Sequence, residues 1–242
     1  MKLSIIIPVY NEEKTVAQLL EKVAKISMPN IEKEVIIVDD GSTDATEKEI
    51  SSMMQKFSGR NIHMKKLKHK KNLGKGTAIR TGLKFANGDY IIIQDADLEY
   101  DPKNIQELIK PIRANKSQVI YGTRLRRMPN LYRDERTLRF LLHYIGNKML
   151  SLITSALFLT WITDMESGHK LFPRKALEKI TLRARGFDFE PEITAKLLKN
   201  KYKIIEIPIT TDPRGYKEGK KLQTFRDGFR ALWTLIKYRF ID

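Results

Sequence analysis

Apolar residues in the first half of the chain occur in two alternating patterns. Compact strand-like runs lie at residues 3–9, 34–38, 62–67, 90–94 and 118–122. The segments between them repeat apolar residues at the spacing of a helix with one buried face, at residues 12–26, 42–57, 75–86 and 102–115. Alternating strands and helices are typical of α/β proteins, so the pattern predicts a mostly parallel, doubly wound sheet flanked by helices.

The second half of the chain has a different pattern. A long apolar segment occupies residues 138–162, and residues 225–240 repeat apolar positions at helical spacing with Arg and Lys between them. Further helices are predicted at residues 175–180 and 190–200, and a strand at residues 202–209. No internal repeat, linker or low-complexity tract divides the 242 residues, so we expect one domain ending in amphipathic helices.

The composition of the chain and the pattern at its N-terminus indicate which cellular compartment it suits. The chain has no cysteine, which excludes disulfides and thiolate metal sites and fits a reducing compartment. No cleavable signal pattern precedes the first strand, so a cytoplasmic location is expected. The longest uncharged apolar run, residues 149–162, is too short to span a bilayer and is expected mostly in the core. Residues 225–240 suit a core helix and a membrane-surface helix equally.

The charge balance points to anionic partners. Lys and Arg number 45 against 29 Asp and Glu, which gives a net charge of +16. Such a surplus favours nucleic acid, anionic lipid headgroups or phosphorylated substrates. The basic run at residues 65–71 has no interleaved aromatic residue and matches no nucleic-acid-binding module, so nucleic acid is not expected as a partner. No Gly-x-Ser-x-Gly motif supports a hydrolase, and the four His share no metal-ligand spacing.

Three carboxylates follow the fourth predicted strand, at Asp95, Asp97 and Glu99. Side chains alternate along an extended chain, so Asp95 and Asp97 point to the same side. Glu99 joins them if the chain stays extended past Leu98. Converging carboxylate oxygens suit Mg²⁺ or Mn²⁺ held against the phosphate oxygens of a substrate. This run therefore predicts a metal site for nucleotide chemistry.

Polar residues follow two other predicted strands as well. Residues 8–12, Pro-Val-Tyr-Asn-Glu, follow the first strand, and residues 38–42, Val-Asp-Asp-Gly-Ser, follow the second. Each alone is typical of a turn with a helix N-cap, and Ser42 or Thr43 is the expected cap of the second helix. In parallel sheets, ligands bind beyond the carboxyl ends of the strands. Because clustered carboxylates repel one another unless a cation or ligand engages them, the segments together predict one acidic crevice.

Several cations are expected near the same crevice. Residues 72–77, Asn-Leu-Gly-Lys-Gly-Thr, complete neither a Walker A loop nor a Gly-x-Gly-x-x-Gly motif, but a helix N-terminus with Lys75 attracts a diphosphate. Arg124 follows the fifth strand, where it either faces the crevice or lies on the surface. Arg214 and residues 218–221 form a basic loop that either closes over a diphosphate or stays solvated.

These motifs together resemble the inverting family 2 glycosyltransferases of the GT-A fold, which is Rossmann-like, and within them the dolichol-phosphate mannose and glucose synthases. Four segments stand in the order and spacing of that family, at residues 8–12, 38–42, 72–76 and 95–97. Three later segments are similar to the polyprenyl-phosphate branch, at residues 163–170, 187–190 and 218–221. The resemblance covers nearly the whole chain.

The resemblance implies roles for individual residues. The nucleotide-sugar site would comprise Pro8, Tyr10, Glu12, Asp39, Asp40, Lys75, Asp95, Ala96, Asp97, Lys170, Arg214 and Lys220. The metal ligands would be Asp95, Asp97 and Glu99, although similar enzymes often have Gln at the third position. The acceptor phosphate would be held by Arg124 with one of Arg133, Arg136 or Arg139. Asp97 and Arg124 would be the catalytic residues.

The resemblance also implies a metal-dependent transferase that moves mannose or glucose from GDP-mannose or UDP-glucose to dolichol or polyprenyl phosphate. Residues 1–123 would bind the nucleotide sugar, residues 124–221 the acceptor, and residues 222–242 would form the C-terminal amphipathic helix. The protein would lie on the cytoplasmic face of the membrane, by peripheral contact or through a membrane-anchored partner. Two alternatives stay open: a GT-A transferase for a soluble or polysaccharide acceptor, and a basic nucleic-acid-binding protein.

Overall fold

The computed structural model of the chain describes residues 1–60, 62–124, 138–212 and 224–241. In these ranges one sheet contains seven strands, at Lys2–Val9 (β1), Glu32–Asp39 (β2), His63–Lys68 (β3), Tyr90–Ile93 (β4), Val119–Thr123 (β5), Lys170–Pro173 (β6) and Ile204–Pro208 (β7). The α-helices of these ranges are Val16–Lys25 (α1), Thr46–Lys56 (α2), Lys75–Leu83 (α3), Asn104–Arg113 (α4), Leu138–Phe158 (α5), Phe189–Lys199 (α6) and Thr224–Phe240 (α7). A short 3₁₀ helix covers Arg174–Glu178, where the pattern predicts a helix.

Six strands of the sheet run parallel and one runs against them. The strand order is β3-β2-β1-β4-β6-β5-β7, and β6 pairs antiparallel with both β4 and β5. The carboxyl ends of β1, β2, β4 and β5 therefore reach the same edge of the sheet. The predicted α/β class, with a mostly parallel sheet flanked by helices, is confirmed.

Successive side chains of β1 enter two separate cores. Ile5 and Ile7 pack on one face of the sheet with residues of α1, α2 and α4, whereas Ile6 packs on the other face with residues of α3 and α6. All three side chains are fully buried. A strand that is buried on both faces has no polar side, which explains why the strands occur as continuous apolar runs in the sequence.

Two local features differ from the sequence expectation. The pattern does not predict β6, because only four residues pair and they follow a segment of charged and polar residues. The second helix begins at Thr46 rather than at residue 42 or 43. The Ser42 hydroxyl accepts a hydrogen bond from the Asn11 amide at 3.0 Å, and the Thr43 amide donates to the Asn11 side chain at 2.9 Å. Both residues therefore join two loops instead of capping α2.

The helices α5 and α7 each have a buried and an exposed apolar side. They pack against each other and against α6, with Leu150, Ala195 and Leu235 in the shared core. On the opposite side of α5, Met149 and Leu152 are each 56% exposed. The expectation that residues 149–162 lie mostly in the core is therefore wrong, because only one side of this segment packs. Within the described ranges, no helix combines the length and apolar content needed to cross a bilayer.

Truncation of Ile92 tests the central position of β4. The side chain is fully buried, so Ile92→Ala should lower the free energy of unfolding by about 2–5 kcal/mol through lost burial and a new cavity. The matched control is Ile145→Ala, because Ile145 on α5 is 44% exposed and its truncation should change stability by about 0.5 kcal/mol or less. Urea unfolding followed by circular dichroism measures both variants, and equal losses would contradict the assigned burial.

Candidate active site

A cavity of about 360 Å³ lies at the edge of the sheet where the parallel strands end. Residues that follow β1, β2, β4 and β5 line it, together with the N-terminus of α3 and residues around the start of α6. The predicted site residues in its wall are Pro8, Tyr10, Glu12, Asp40, Lys75, Asp95, Ala96, Asp97, Glu99 and Arg124. Most of the predicted site is thus gathered in one crevice.

Other predicted site residues lie away from the wall. Asp39 and Lys170 are fully buried and do not line the cavity. Arg139 falls in α5, but only its backbone is described. Outside the described residues lie Arg133, Arg136, Arg214 and Lys220. The roles assigned to all of these residues stay predictions.

The three carboxylates after β4 all line the same cavity, but they do not lie along one extended segment. The chain turns after Asp97, with Leu98 at a φ of +63°, and the Glu99 amide donates a hydrogen bond to Asp97 at 3.1 Å. The extended path assumed for Glu99 is therefore wrong. In the part of the chain that the structure describes, no three Asp, Glu or His side chains are grouped so that they could hold a metal ion by themselves.

Lys75 joins three elements at the cavity wall. Its ammonium group, on the first residue of α3, lies 2.8 Å from Asp95 after β4 and 2.8 Å from Glu190 in the first turn of α6. Burial alone would lower the pKa of Lys75, but the charges of the two carboxylates outweigh it and hold the pKa well above its usual value. Lys75 therefore stays charged and neutralises one side of the crevice.

Asp40 fixes the loop that carries Lys75. Its carboxylate accepts hydrogen bonds from the backbone amides of Leu73 and Gly74 at 3.0 and 2.8 Å. Gly74 has a φ of +97°, and a Cβ atom there would lie 2.3 Å from the carbonyl oxygen of Arg185. Only glycine fits this position, so the path of the loop depends on both Asp40 and Gly74.

Arg124 is held from behind by the buried carboxylate of Asp164. Two guanidinium nitrogens each donate to a different oxygen of Asp164 at 2.8 Å, and the Arg124 amide donates to it at 2.9 Å. Burial alone would raise the pKa of Asp164, but Arg124 outweighs it and lowers the pKa. Glu206 of β7 in turn accepts hydrogen bonds from the amides of Thr163 and Asp164 at 2.8 Å. The position of Arg124 at the cavity is therefore fixed by paired charges and by β7.

A buried polar layer lies behind the cavity. The ammonium group of Lys170 donates to the carbonyl oxygens of Met165 and Ser167 at 2.7 and 2.5 Å, and burial lowers its pKa to about 8. A ring nitrogen of His169 lies 2.9 Å from the Gln94 side chain. Burial lowers the pKa of His169 to about 4, so the ring is neutral at pH 7. These contacts hold the segment before β6 in place behind the wall.

Some lining residues have no role assigned by the sequence motifs. They include Tyr100, Glu166, Gly168, Gly186, Phe187 and Glu190. A Cβ atom on Gly168 would lie 2.4 Å from a carboxylate oxygen of Asp95, so glycine leaves the room that this carboxylate occupies. The Gly168 amide also donates to the Tyr100 hydroxyl at 3.0 Å. The motifs at residues 163–170 and 187–190 contain most of this set, whereas no pattern marks Tyr100.

The described lining residues carry more acids than bases. The acids are Glu12, Asp40, Asp95, Asp97, Glu99, Glu166 and Glu190, and the bases are Lys75 and Arg124. This excess of negative charge lies in a protein whose net charge is +16, as the sequence predicts. A phosphate group would be repelled here unless a cation entered with it, so the cavity suits a cation–phosphate ligand.

Comparison with known proteins identifies the family. The model of glycosyl transferase family 2 matches residues 4–181. A UDP-N-acetylglucosamine–dolichyl-phosphate N-acetylglucosaminyltransferase of Methanococcus voltae is 34% identical over 96% of the chain and 94% of its own length. A dolichyl-phosphate beta-glucosyltransferase of Dictyostelium discoideum and a dolichol-phosphate mannosyltransferase of Pyrococcus furiosus are each 29% identical over 98% of the chain. The chain spans 74% of the first of these two proteins and 64% of the second.

Solved structures share the fold. Glucosyl-3-phosphoglycerate synthase of Mycobacterium tuberculosis, crystallised with Mn²⁺, UDP and glucosyl-3-phosphoglycerate, matches 100% of the chain and 81% of its own chain. The TM-score is 0.72 at 18% identity. The same enzyme with Mg²⁺ and UDP gives a TM-score of 0.69 at 19% identity, over 100% of the chain and 80% of its own. At this identity the likeness establishes the fold alone.

The family match agrees with the fold and with the position of the cavity. Residues 4–181 include the ends of β1, β2, β4 and β5, where the cavity lies. The resemblance carried by the sequence motifs is thereby confirmed. The chain belongs to glycosyl transferase family 2 and is a glycosyltransferase of the GT-A fold.

Proposed function

We propose that the protein transfers a hexose from a nucleoside diphosphate sugar to dolichyl or another polyprenyl phosphate, with a divalent cation as cofactor. The observation that carries the proposal is the acidic cavity at the strand ends, with Arg124 held at its wall by Asp164. Three similar proteins are named for transfer to dolichyl phosphate, with N-acetylglucosamine, glucose or mannose as the sugar. GDP-mannose and UDP-glucose are the predicted donors, and the Methanococcus voltae relative adds UDP-N-acetylglucosamine.

Asp95 and Asp97 are the residues proposed to hold Mg²⁺ or Mn²⁺. In proteins Mg²⁺ is usually bound by one or two carboxylates, while substrate phosphates and water supply the other ligands. Two carboxylates that line one negatively charged cavity fit this donor set, and Glu99 stays a predicted third ligand. When bound, the cation would neutralise the diphosphate and so improve it as a leaving group.

The acceptor phosphate is itself an anionic nucleophile, so the reaction requires no strong general base. One phosphate oxygen would attack the anomeric carbon of the sugar while the bond from that carbon to the diphosphate breaks. Arg124, fixed by Asp164, would hold the acceptor phosphate in line with the breaking bond. Attack opposite the leaving group inverts the anomeric centre, so an α-linked donor gives a β-linked product.

The nucleotide is proposed to lie along the ends of β1 and β2. Pro8, Tyr10 and Glu12 line the same cavity as Asp95, which supports a nucleoside site beside the proposed cation. Lys75 lines the same cavity between Asp95 and Glu190, where an ammonium group would favour the diphosphate.

The outer face of α5 and α7 is proposed to rest on a membrane surface. We define this face by its exposed apolar side chains: Leu141, Leu142, Ile145, Met149, Leu152, Phe229, Trp233, Ile236 and Phe240. Arg226 and Arg230 are exposed on the same helix as Trp233, so the face combines apolar groups with cations. Anionic lipid headgroups attract such a surface, and contact here would bring the enzyme to a lipid-linked acceptor. A position on the cytoplasmic side stays a prediction.

Asp97→Asn tests the proposed cation site. Loss of one ligand charge should lower turnover by about a hundredfold or more, because the cation stabilises charge that develops on the leaving diphosphate. Asp89→Asn is the matched control, since Asp89 is exposed just before the amino end of β4, and it should leave turnover unchanged. Turnover is measured with polyprenyl phosphate and a panel of GDP- and UDP-sugars, in Mg²⁺, in Mn²⁺ and in EDTA.

The same assay tests the proposed acceptor. At least one donor should yield a lipid-linked sugar, and EDTA should abolish its formation. If no donor gives a lipid-linked product while a soluble sugar is glycosylated, the polyprenyl acceptor is refuted and the soluble-acceptor alternative is favoured.

Truncation of two aromatic residues tests the proposed membrane contact. The double variant Phe229→Ala/Trp233→Ala should bind vesicles with anionic lipid about tenfold more weakly or worse, because it removes apolar area that the bilayer would bury. Phe85→Ala is the control, since Phe85 is a 38% exposed aromatic residue that follows α3 and is not on α5 or α7. Co-sedimentation with vesicles measures the binding. Equal binding by the wild type and the double variant would rule out this face as the contact.

A further inference from the structure

Tyr100 contacts both the arginine side and the carboxylate side of the cavity. The guanidinium carbon of Arg124 lies over its ring, 5.7 Å from the ring centroid. Its hydroxyl accepts a hydrogen bond from the Gly168 amide at 3.0 Å, and a Cβ atom on Gly168 would clash with the carboxylate of Asp95. Tyr100 lines the cavity but is only 3% exposed. One aromatic side chain therefore links the residues proposed for the acceptor phosphate and for the cation.

The backbone and the ring of Tyr100 are held by several neighbours. The Gln94 side chain donates to its carbonyl oxygen at 3.1 Å, and a single β-bridge pairs Tyr100 with Thr211, which follows β7. The ring centroid also lies 4.7 Å from that of the His169 imidazole, which is neutral at pH 7. A ring that is already fixed loses little further entropy when it holds a neighbour in place. Tyr100 is therefore suited to orient Arg124.

The chemistry of Tyr100 favours this role over proton abstraction. Burial raises the pKa of its hydroxyl above the usual value, so the group stays protonated at neutral pH and is no base. The ring attracts a cation through its negative face, and more strongly where water is excluded. Two hydrogen bonds with Asp164 fix the plane of the Arg124 guanidinium, and the ring of Tyr100 adds a further contact. The other N–H donors of a guanidinium held in this way suit a phosphate group.

We infer that Tyr100 is a positioning residue for the acceptor phosphate and acts through Arg124. Its ring holds the guanidinium group in the orientation that Asp164 sets, and it excludes water from the contact. Both effects strengthen the attraction between the guanidinium and a phosphate, because opposite charges attract more strongly where water is absent. The inference rests on the proposed function, in which Arg124 binds the acceptor phosphate.

Kinetics with a varied acceptor separate this role from a general structural one. Tyr100→Leu removes the ring but keeps an apolar side chain, so it should raise KM for a short-chain prenyl phosphate by about tenfold. Its kcat at saturating acceptor should be unchanged, because the lost contact orients Arg124 before and during the reaction alike. Calorimetric titration with Mg²⁺ should show an unchanged Kd for the matching nucleoside diphosphate, UDP or GDP. Tyr100→Phe keeps the ring and should keep the wild-type KM.

Tyr90→Leu is the matched control for the loss of a ring. Tyr90 is the first residue of β4, is partly buried and lies outside the wall of this cavity, whereas Tyr100 follows the carboxyl end of the same strand. The control should therefore change neither KM for the acceptor nor Kd for the nucleoside diphosphate. Tyr100→Met is a second variant without the ring, and it keeps the test decisive if Tyr100→Leu fails to fold.

A double variant tests whether Tyr100 acts through Arg124. Arg124→Lys keeps the positive charge but replaces the planar group that lies over the ring. Two residues that act through one contact lose that contact only once. The rise in KM of Tyr100→Leu/Arg124→Lys should therefore be smaller than the product of the two single rises. A rise equal to that product would overturn the inference.

The remaining outcomes distinguish the inference from the proposed function. An unchanged KM in Tyr100→Leu would overturn the inference, and an equal rise in Tyr100→Phe would do so by assigning the effect to the hydroxyl and Gly168. Equal losses of acceptor and nucleoside diphosphate affinity would indicate a general structural role and overturn it as well. Wild-type protein that transfers no sugar to any prenyl phosphate would instead refute the proposed function, and the inference with it.

Discussion

The ion bridge of Lys75 is the contact on which the crevice depends. One ammonium group lies between Asp95, at the end of β4, and Glu190, at the start of α6, so three elements meet at a single positive charge. Acids that share a wall repel each other, and removing the cation between them would leave that repulsion uncompensated. At the end of β5, Asp164 pairs with Arg124 in a similar way, and Glu206 accepts a hydrogen bond from the Asp164 amide. The two bases of the described wall, Lys75 and Arg124, are therefore already paired with acids before any substrate arrives.

The sequence predicts the strand ends because of how parallel strands are buried. A strand covered on both faces leaves a continuous apolar run, and the first polar residues after it mark the edge of the sheet. Asp95 and Arg124 follow from this rule, and both line the cavity. The turn at Leu98 could not be predicted from this rule, because a single residue with a positive φ leaves no periodic pattern in the sequence. The position of Glu166 could not be predicted from it either, because that position depends on how the four-residue strand β6, which follows Glu166, pairs in the sheet.

The cavity is rich in acidic residues, whereas the chain as a whole is basic. Among the described residues, seven acids and two bases line the cavity, although the chain as a whole has a net charge of +16, and the exposed bases include Arg226 and Arg230 on α7. A nucleotide sugar and a lipid phosphate are both anionic, so the basic exterior would attract either of them across about one Debye length, roughly 8–10 Å in physiological salt. Inside the crevice the local excess of acids opposes a bare phosphate. The exterior would therefore favour anions in general, and the crevice only those that arrive with a cation.

The position of β6 has a consequence for how the molecule assembles. β4 and β5 are consecutive in the chain but are separated in the sheet by β6, which is synthesised much later. On the ribosome, the early strands cannot complete the sheet until this late strand inserts between them. Pairing of such sequence-distant segments is slow, and it leaves strand edges open in the interval. The unpaired edges are those of β4 and β5, the strands that precede Asp95 and Arg124. The two sides of the crevice therefore come together only after β6 has been synthesised.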